Sequence, residues 1–144
     1  MEKNLGIKWY DTIDSTNSQA ARELDTAPEG SVWIADFQTA GRGQRGHSWE
    51  SRKGENLTFS VVLEPHFLPV AEQFMLLEAV ALSLSDFFML QGVKSSIKWT
   101  NDLYVGDRKA VGILIEHTYS SSKLSRTIVG VGINVNQREF SKDI

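Results

Sequence analysis

The sequence predicts an α+β fold, a mixed, largely antiparallel sheet with helices on one face. Three observations predict it. Short alternating segments rich in β-branched residues recur along the chain. Two segments with helical character interrupt them, one near the N-terminus and one at the middle. After Gly92 the strand-like segments follow one another through short connections, which favours antiparallel pairing.

Each element has its own signal. Residues 5–13 (LGIKWYDTI) read as a strand, and 14–25 (DSTNSQAARELD) as a helix with Asp14, Ser15 or Thr16 as its cap. Residues 31–37 (SVWIADF) alternate as a strand does, 38–54 form a glycine-studded loop, and 57–64 (LTFSVVLE) are a strand closed by Pro65. A long helix runs from Val70 to Leu90. Phe74, Leu77, Ala81, Leu84 and Phe88 recur there at spacings of three and four, which puts them on one face. Leu76, Val80 and Phe87 make another face apolar too, so this helix is expected to be well covered, with Gly92 as its stop. Residues 96–99, 103–105, 110–119 and 127–135 complete the strands.

With 144 residues the default is one domain. Fifteen basic residues against 18 acidic ones give a net charge of −3, which opposes bulk binding to nucleic acid or to an anionic membrane. There is no cysteine, which excludes disulfides, thiolate catalysis and Cys-based metal sites. His47, His66 and His117 lack ligand spacing, so no side chain is predicted to bind a metal directly. The N-terminus has no apolar signal region and no run is read as membrane-spanning. The expected location is cytoplasmic, with no DNA and no membrane partner.

Against this acidic background, residues 38–54 carry Arg42, Arg45, Arg52 and Lys53 against Glu50 alone. Their core, QTAGRGQRGHSW, spells Gly41-x-Gly43-x-x-Gly46. A dinucleotide fingerprint needs a helix after the glycines, and here a further strand follows instead. No Gly-Lys-Ser/Thr closes a Walker loop either. What remains is a loop rich in backbone N–H groups with two guanidiniums, suited to an anion, and Trp49 as a stacking face. A surface hairpin with solvated arginines fits the same residues.

Three further clusters stand beside it. KWTNDLYVGDRKAVGILIE (98–116) sets Lys98, Asn101, Asp102 and Lys109 around a short hairpin. GVGINVN (130–136) puts Gly130 and Gly132 in a strand, which suggests close approach of a ligand or another backbone, or else a bulge. DSTN (14–17) gathers hydroxyls and an amide at a helix start, where capping alone is the plainer reading.

Taken in this order, DSTN, QTAGRGQRG-x-x-W, KWTNDLYV, RKAVGILIE and GVGINVN resemble the catalytic domain of biotin–protein ligases, across residues 14–136. The resemblance implies a sheet of the class II synthetase and biotin–lipoate ligase type. It implies activation of biotin by ATP, with Mg²⁺, to biotinyl-5′-adenylate. The acyl group then passes to one lysine of a carboxylase's biotin carboxyl carrier domain. By the same resemblance Ser15, Thr16, Asn17 and Gln38 surround the ureido ring. Gly41, Arg42, Gly43 and Gln44 form the loop over biotin and the acyl phosphate. Lys109 holds the carboxylate and then the α-phosphate, so Lys109 and Arg42 are the catalytic candidates. Gly112, Leu114, Gly130 and Gly132 wall the bicyclic ring and chain. Trp49, Lys98, Asn101 and Asn134 lie on the ATP side. A homodimer through an exposed sheet edge is compatible with the family.

The chain carries Gln44 where the family loop often has arginine, His47 where it has a basic residue, and Thr100 where proline is common. Residues 1–144 are read as the catalytic domain without an N-terminal DNA-binding domain and without the family's C-terminal part and small β-barrel. Two rivals remain: a lipoate or octanoate ligase of the same fold, and a fragment that binds biotin or its adenylate without turnover.

Overall fold

The computed structural model describes residues 6–141. Its elements are β1 (Ile7–Ile13), α1 (Thr16–Arg22), β2 (Val32–Gln38), β3 (Leu57–Leu63), α2 (Phe74–Leu90), β4 (Ser96–Lys98), β5 (Asp102–Val105), β6 (Arg108–Ser120) and β7 (Lys123–Ile133). Short 3₁₀ turns lie at Gln44–Gly46 and Val70–Glu72. Leu5, read as the start of β1, falls outside the described residues.

Among the three cap candidates Ser15 takes the role. Its backbone is extended and its side chain accepts from the Ser18 N–H, 3.4 Å away. The helix ends at Arg22, shorter than expected. The Arg22 guanidinium reaches back and donates to both oxygens of Asp14, at 2.7 and 2.9 Å. These bonds, with the Ser15 N–H, hold the Asp14 carboxyl down at about 2. A carboxyl lowered from 3.8 stabilises the fold above its unfolded value and loses that contribution as pH falls toward 2. The pair is largely exposed, so screening keeps it below about 1 kcal/mol. Urea denaturation of Asp14→Asn beside the parent checks this. The parent's advantage should be full near pH 5 and gone near pH 2, and a constant difference would refute it.

One seven-stranded sheet runs β1-β2-β3-β7-β6-β5-β4. Only β1 and β2 pair in parallel, joined by α1 as a crossover; every other neighbour is antiparallel. The mixed, largely antiparallel sheet is therefore as predicted.

The placement of the helices is not. Ala20 of α1 packs with Trp33, Val62 and Ile128, whereas Leu77 and Ala81 of α2 pack with Leu103, Val111, Ile113 and Val129. Ile128 and Val129 are neighbours on one strand, and successive strand side chains point to opposite faces. The two helices therefore sit on opposite faces of the sheet, not on one.

Coverage of α2 also differs from expectation. Leu77 and Ala81 are buried, but Leu82 is 57%, Met89 67% and Leu90 82% exposed. Nothing among the described residues packs on that outer side. By length and composition the stretch Val70–Leu90 is apolar enough to cross a membrane, which corrects the reading that no run is. Its inner face is nonetheless part of the core, and Glu72, Glu78 and Asp86 interrupt its length.

Candidate functional site

The floor of the site is a bare strip at the centre of the sheet. Gly112 on β6 pairs directly with Gly132 on β7, and Gly130 lies two residues further along the same face. A methyl group at Gly112 would sit 2.6 Å from Trp49 Cζ3, and one at Gly132 would sit 2.6 Å from Trp49 Cζ2. A methyl group at Gly130 would sit 2.8 Å from Asn17 Cγ. Close approach, not backbone strain, explains glycine at these three strand positions.

The start of α1 supplies the polar end. Ser15, Thr16 and Asn17 are buried although polar. The Thr16 N–H donates to Gln38 Oε1 at 2.7 Å. The Ser60 hydroxyl donates to Asn17 Oδ1 at 2.5 Å and lies 2.8 Å from the Thr16 hydroxyl. Asn17 Nδ2 donates to Glu116 Oε2 at 2.9 Å and to the Leu114 carbonyl at 3.4 Å. Every member has a partner, so the network holds a defined shape. Ser60 and Thr58 escaped the sequence reading. Their signal was available: polar residues at alternate positions of an otherwise apolar strand.

The glycine loop folds as a tight hairpin over this floor. The Trp49 N–H donates to Gly41 O at 2.9 Å and the Gly43 N–H to His47 O at 2.7 Å. Arg45 and Gly46 turn the tip with φ of 54° and 79°. Gly41 closes the base of the hairpin, where a methyl group would meet the Trp49 carbonyl oxygen at 2.5 Å; it does not line the cavity. Arg42 forms an ion pair with Glu116 on β6.

The opposite end belongs to the β5–β6 hairpin. Leu103 pairs with Val111 but Tyr104 pairs with Lys109, so Ala110 is an extra residue in β6. Simple alternation would point Lys109 with Val111 and Ile113 toward α2. The bulge re-aims it to the face of Gly112. Asn134 fastens the bulge: its N–H donates to Ala110 O at 2.8 Å and its Nδ2 to Lys109 O at 3.1 Å. Lys109 Nζ stands 2.9 Å from Asp102 Oδ1 and 5.6 Å above the Trp49 ring. The contact with Asp102 is close but misaligned for hydrogen bonding, and that oxygen has no other partner. Lys109 is thus held by charge beside Asp102. Asn101 Nδ2 donates to Ile113 O at 3.0 Å and lines the site.

These parts enclose a cavity of about 470 Å³, a size that suits a small-molecule ligand. Ser15, Thr16, Asn17 and Gln38 line one side of it. Arg42, Gly43, Gln44 and Trp49 cover it from the loop, and Lys109, Gly112, Leu114, Gly130 and Gly132 line it from the sheet. Gly41, Lys98 and Asn134 stay outside. Lys98 lies 5.1 Å over the Tyr104 ring on an exposed strand. Trp49, expected on the ATP side, instead lies on the glycines expected to wall biotin. Arg42, Arg45 and Lys109 line the cavity, with Glu116 paired to Arg42 and Asp102 beside Lys109, so the site carries a small excess of positive charge. Among the described residues no three His, Asp or Glu side chains group as metal ligands.

Residues 9–134 match the model of the biotin/lipoate A/B protein ligase family. The chain belongs to this family. Within it, the bifunctional ligase/repressor BirA of Bacillus subtilis is 38% identical over 133 residues, covering 90% of this chain and 40% of that protein. The biotin–[acetyl-CoA-carboxylase] ligase of Paracoccus denitrificans is 36% identical over 126 residues, covering 85% of this chain and 51% of that one. Biotin protein ligase from Aquifex aeolicus, solved in complex with biotin and ATP, superposes with a TM-score of 0.77 at 35% identity, over 96% of this chain and 56% of that one. This family member thus spans about two fifths to a half of the curated relatives named here. The cavity lies within the matched residues.

Proposed function

We propose that this chain carries the catalytic domain of a biotin–protein ligase, which activates biotin with ATP and passes it to a lysine of a biotin carboxyl carrier domain. The observation that carries this reading is the polarity of one cavity. Uncharged hydrogen-bonding groups fill the α1 end, Ser15, Thr16 and Gln38. Lys109 supplies a cation at the opposite end, and the Trp49 ring, lying directly on Gly112 and Gly132, gives an apolar wall between them. A ligand with a neutral polar head, an apolar middle and a carboxylate tail fits that order. Both the curated ligases and the Aquifex complex support it.

In the first step a biotin carboxylate oxygen attacks the α-phosphorus of ATP and the bond to the β-phosphate oxygen breaks, releasing pyrophosphate. Two anions must approach each other, so fixed cations are the main requirement. Lys109, aimed inward by the bulge and steadied by Asp102, is placed to hold both. Mg²⁺ would arrive with the nucleotide phosphates, Asp102 being the one carboxylate lining the cavity. In the second step an uncharged carrier lysine amine attacks the acyl carbon and AMP leaves. The loop Gly41–Trp49 covers the mixed anhydride and keeps water from it.

Calorimetry with biotin, with and without ATP·Mg²⁺, combined with a pyrophosphate assay, tests the proposal. Heat of binding plus pyrophosphate release supports a ligase. Binding without pyrophosphate would reduce the chain to a binding unit. No binding of biotin by folded protein would overturn the assignment and direct the search to lipoate.

A further inference from the structure

We propose that Glu116 is a positioning residue that latches the glycine loop onto the sheet and ties loop closure to the polar end of the cavity. Its two carboxylate oxygens are divided between two segments far apart in sequence. Oε1 pairs with the Arg42 guanidinium of the loop, and Oε2 accepts from Asn17 Nδ2 of α1 at 2.9 Å. Glu116 is the one acidic side chain lining the recess between β6 and the loop, where Arg42, Arg45 and His47 gather.

The Asn17 contact does more than bind. A carboxylate only accepts hydrogen bonds, so Glu116 requires the NH₂ side of the Asn17 amide. That leaves Oδ1 facing Ser60, whose hydroxyl donates to it. The amide orientation is thereby set, and one line of contacts runs from Arg42 through Glu116, Asn17, Ser60 and Thr16 to Gln38. A ligand that stiffens Thr16 and Gln38 stiffens the latch, and a closed loop in turn slows escape of that ligand. The ion pair is partly exposed, with side chains 43% and 39% accessible, so it is weak enough to open. A latch must open, and a buried pair would not serve.

The ligand half of this inference rests on the proposed function; the latch half does not. Tryptic cleavage after Arg45, at the loop tip, reports closure without any ligand. Glu116→Gln keeps an acceptor for Asn17 and removes the charge that holds Arg42. Cleavage after Arg45 should rise about fivefold, the scale of one exposed ion pair. Cleavage at Arg22 and Lys98 and the Tm should stay unchanged. In stopped flow, Glu116→Gln should speed biotin dissociation by a similar factor with little change in association. Unchanged cleavage after Arg45 overturns the latch. So does a rise matched at Arg22 and Lys98, which is general loosening. If Arg45 cleavage rises selectively but neither protein binds biotin, the latch stands and the biotin reading falls.

Discussion

Replacing Lys109 with alanine is expected to lower biotin-dependent pyrophosphate release by about 10²–10³-fold, the usual scale for removing a preorganised charge-stabilising donor. Three features make Lys109 the most sensitive position. The bulge at Ala110 delivers its side chain to the cavity face, Asn134 bonds the carbonyl of the same residue, and Asp102 holds the ammonium without an aligned hydrogen bond. The fold should tolerate the change, since the side chain is 31% accessible and fills no core space. Single-turnover assays with biotin, ATP and Mg²⁺, beside thermal melts, check this. Lys109→Arg should recover only part of the rate, because a planar guanidinium cannot take the place of a compact ammonium. A loss below tenfold would show that the cation is not central to the chemistry.

Gly130→Ala should be the most damaging conservative change to the site. The added carbon would lie 2.8 Å from Asn17 Cγ and 3.0 Å from Asn17 Nδ2. Asn17 is 3% exposed and bonded to Ser60, Leu114 and Glu116, so it cannot step aside without breaking buried hydrogen bonds. Overpacking and an unsatisfied buried amide together suggest a loss of about 2–4 kcal/mol. Urea denaturation would measure it. Adding Asn17→Ala should recover much of the stability, because the clashing atoms go, while ligand binding stays lost. A Gly130→Ala protein as stable as the parent would sink the packing account of this glycine.

How much of this was legible in the residues varies by element. The strands and α1 were legible because alternation and a capping serine are local signals, and the structure moves their ends by only a few residues. The length of α2 was legible from its apolar spacing, yet its coverage was not. Periodicity tells which side chains can be buried; it does not say what lies over them, and Leu82, Met89 and Leu90 stay exposed. Nor does any local signal say which face of a sheet a helix takes. That depends on the parity of contacts such as Ile128 and Val129.

The site divides in the same way. The chain's own residues determined its chemistry: hydroxyls and amides at a helix start, arginines among glycines, a lysine in a hairpin, glycines within strands. Residue type limits which groups can donate, carry charge or admit a close neighbour, and order along the chain was enough to reveal the family. Only the tertiary structure decided which of these meet. It turned Lys109 inward through one extra residue, laid Trp49 on Gly112 and Gly132, left Lys98 outside, and gave a part to Glu116, which ends the RKAVGILIE segment but had been assigned no role from the sequence. The physical reason is range. Propensity, capping and alternation act over a few residues, whereas Glu116 reaches Asn17 and Arg42 only after β6, α1 and the loop have each been placed by packing on the sheet.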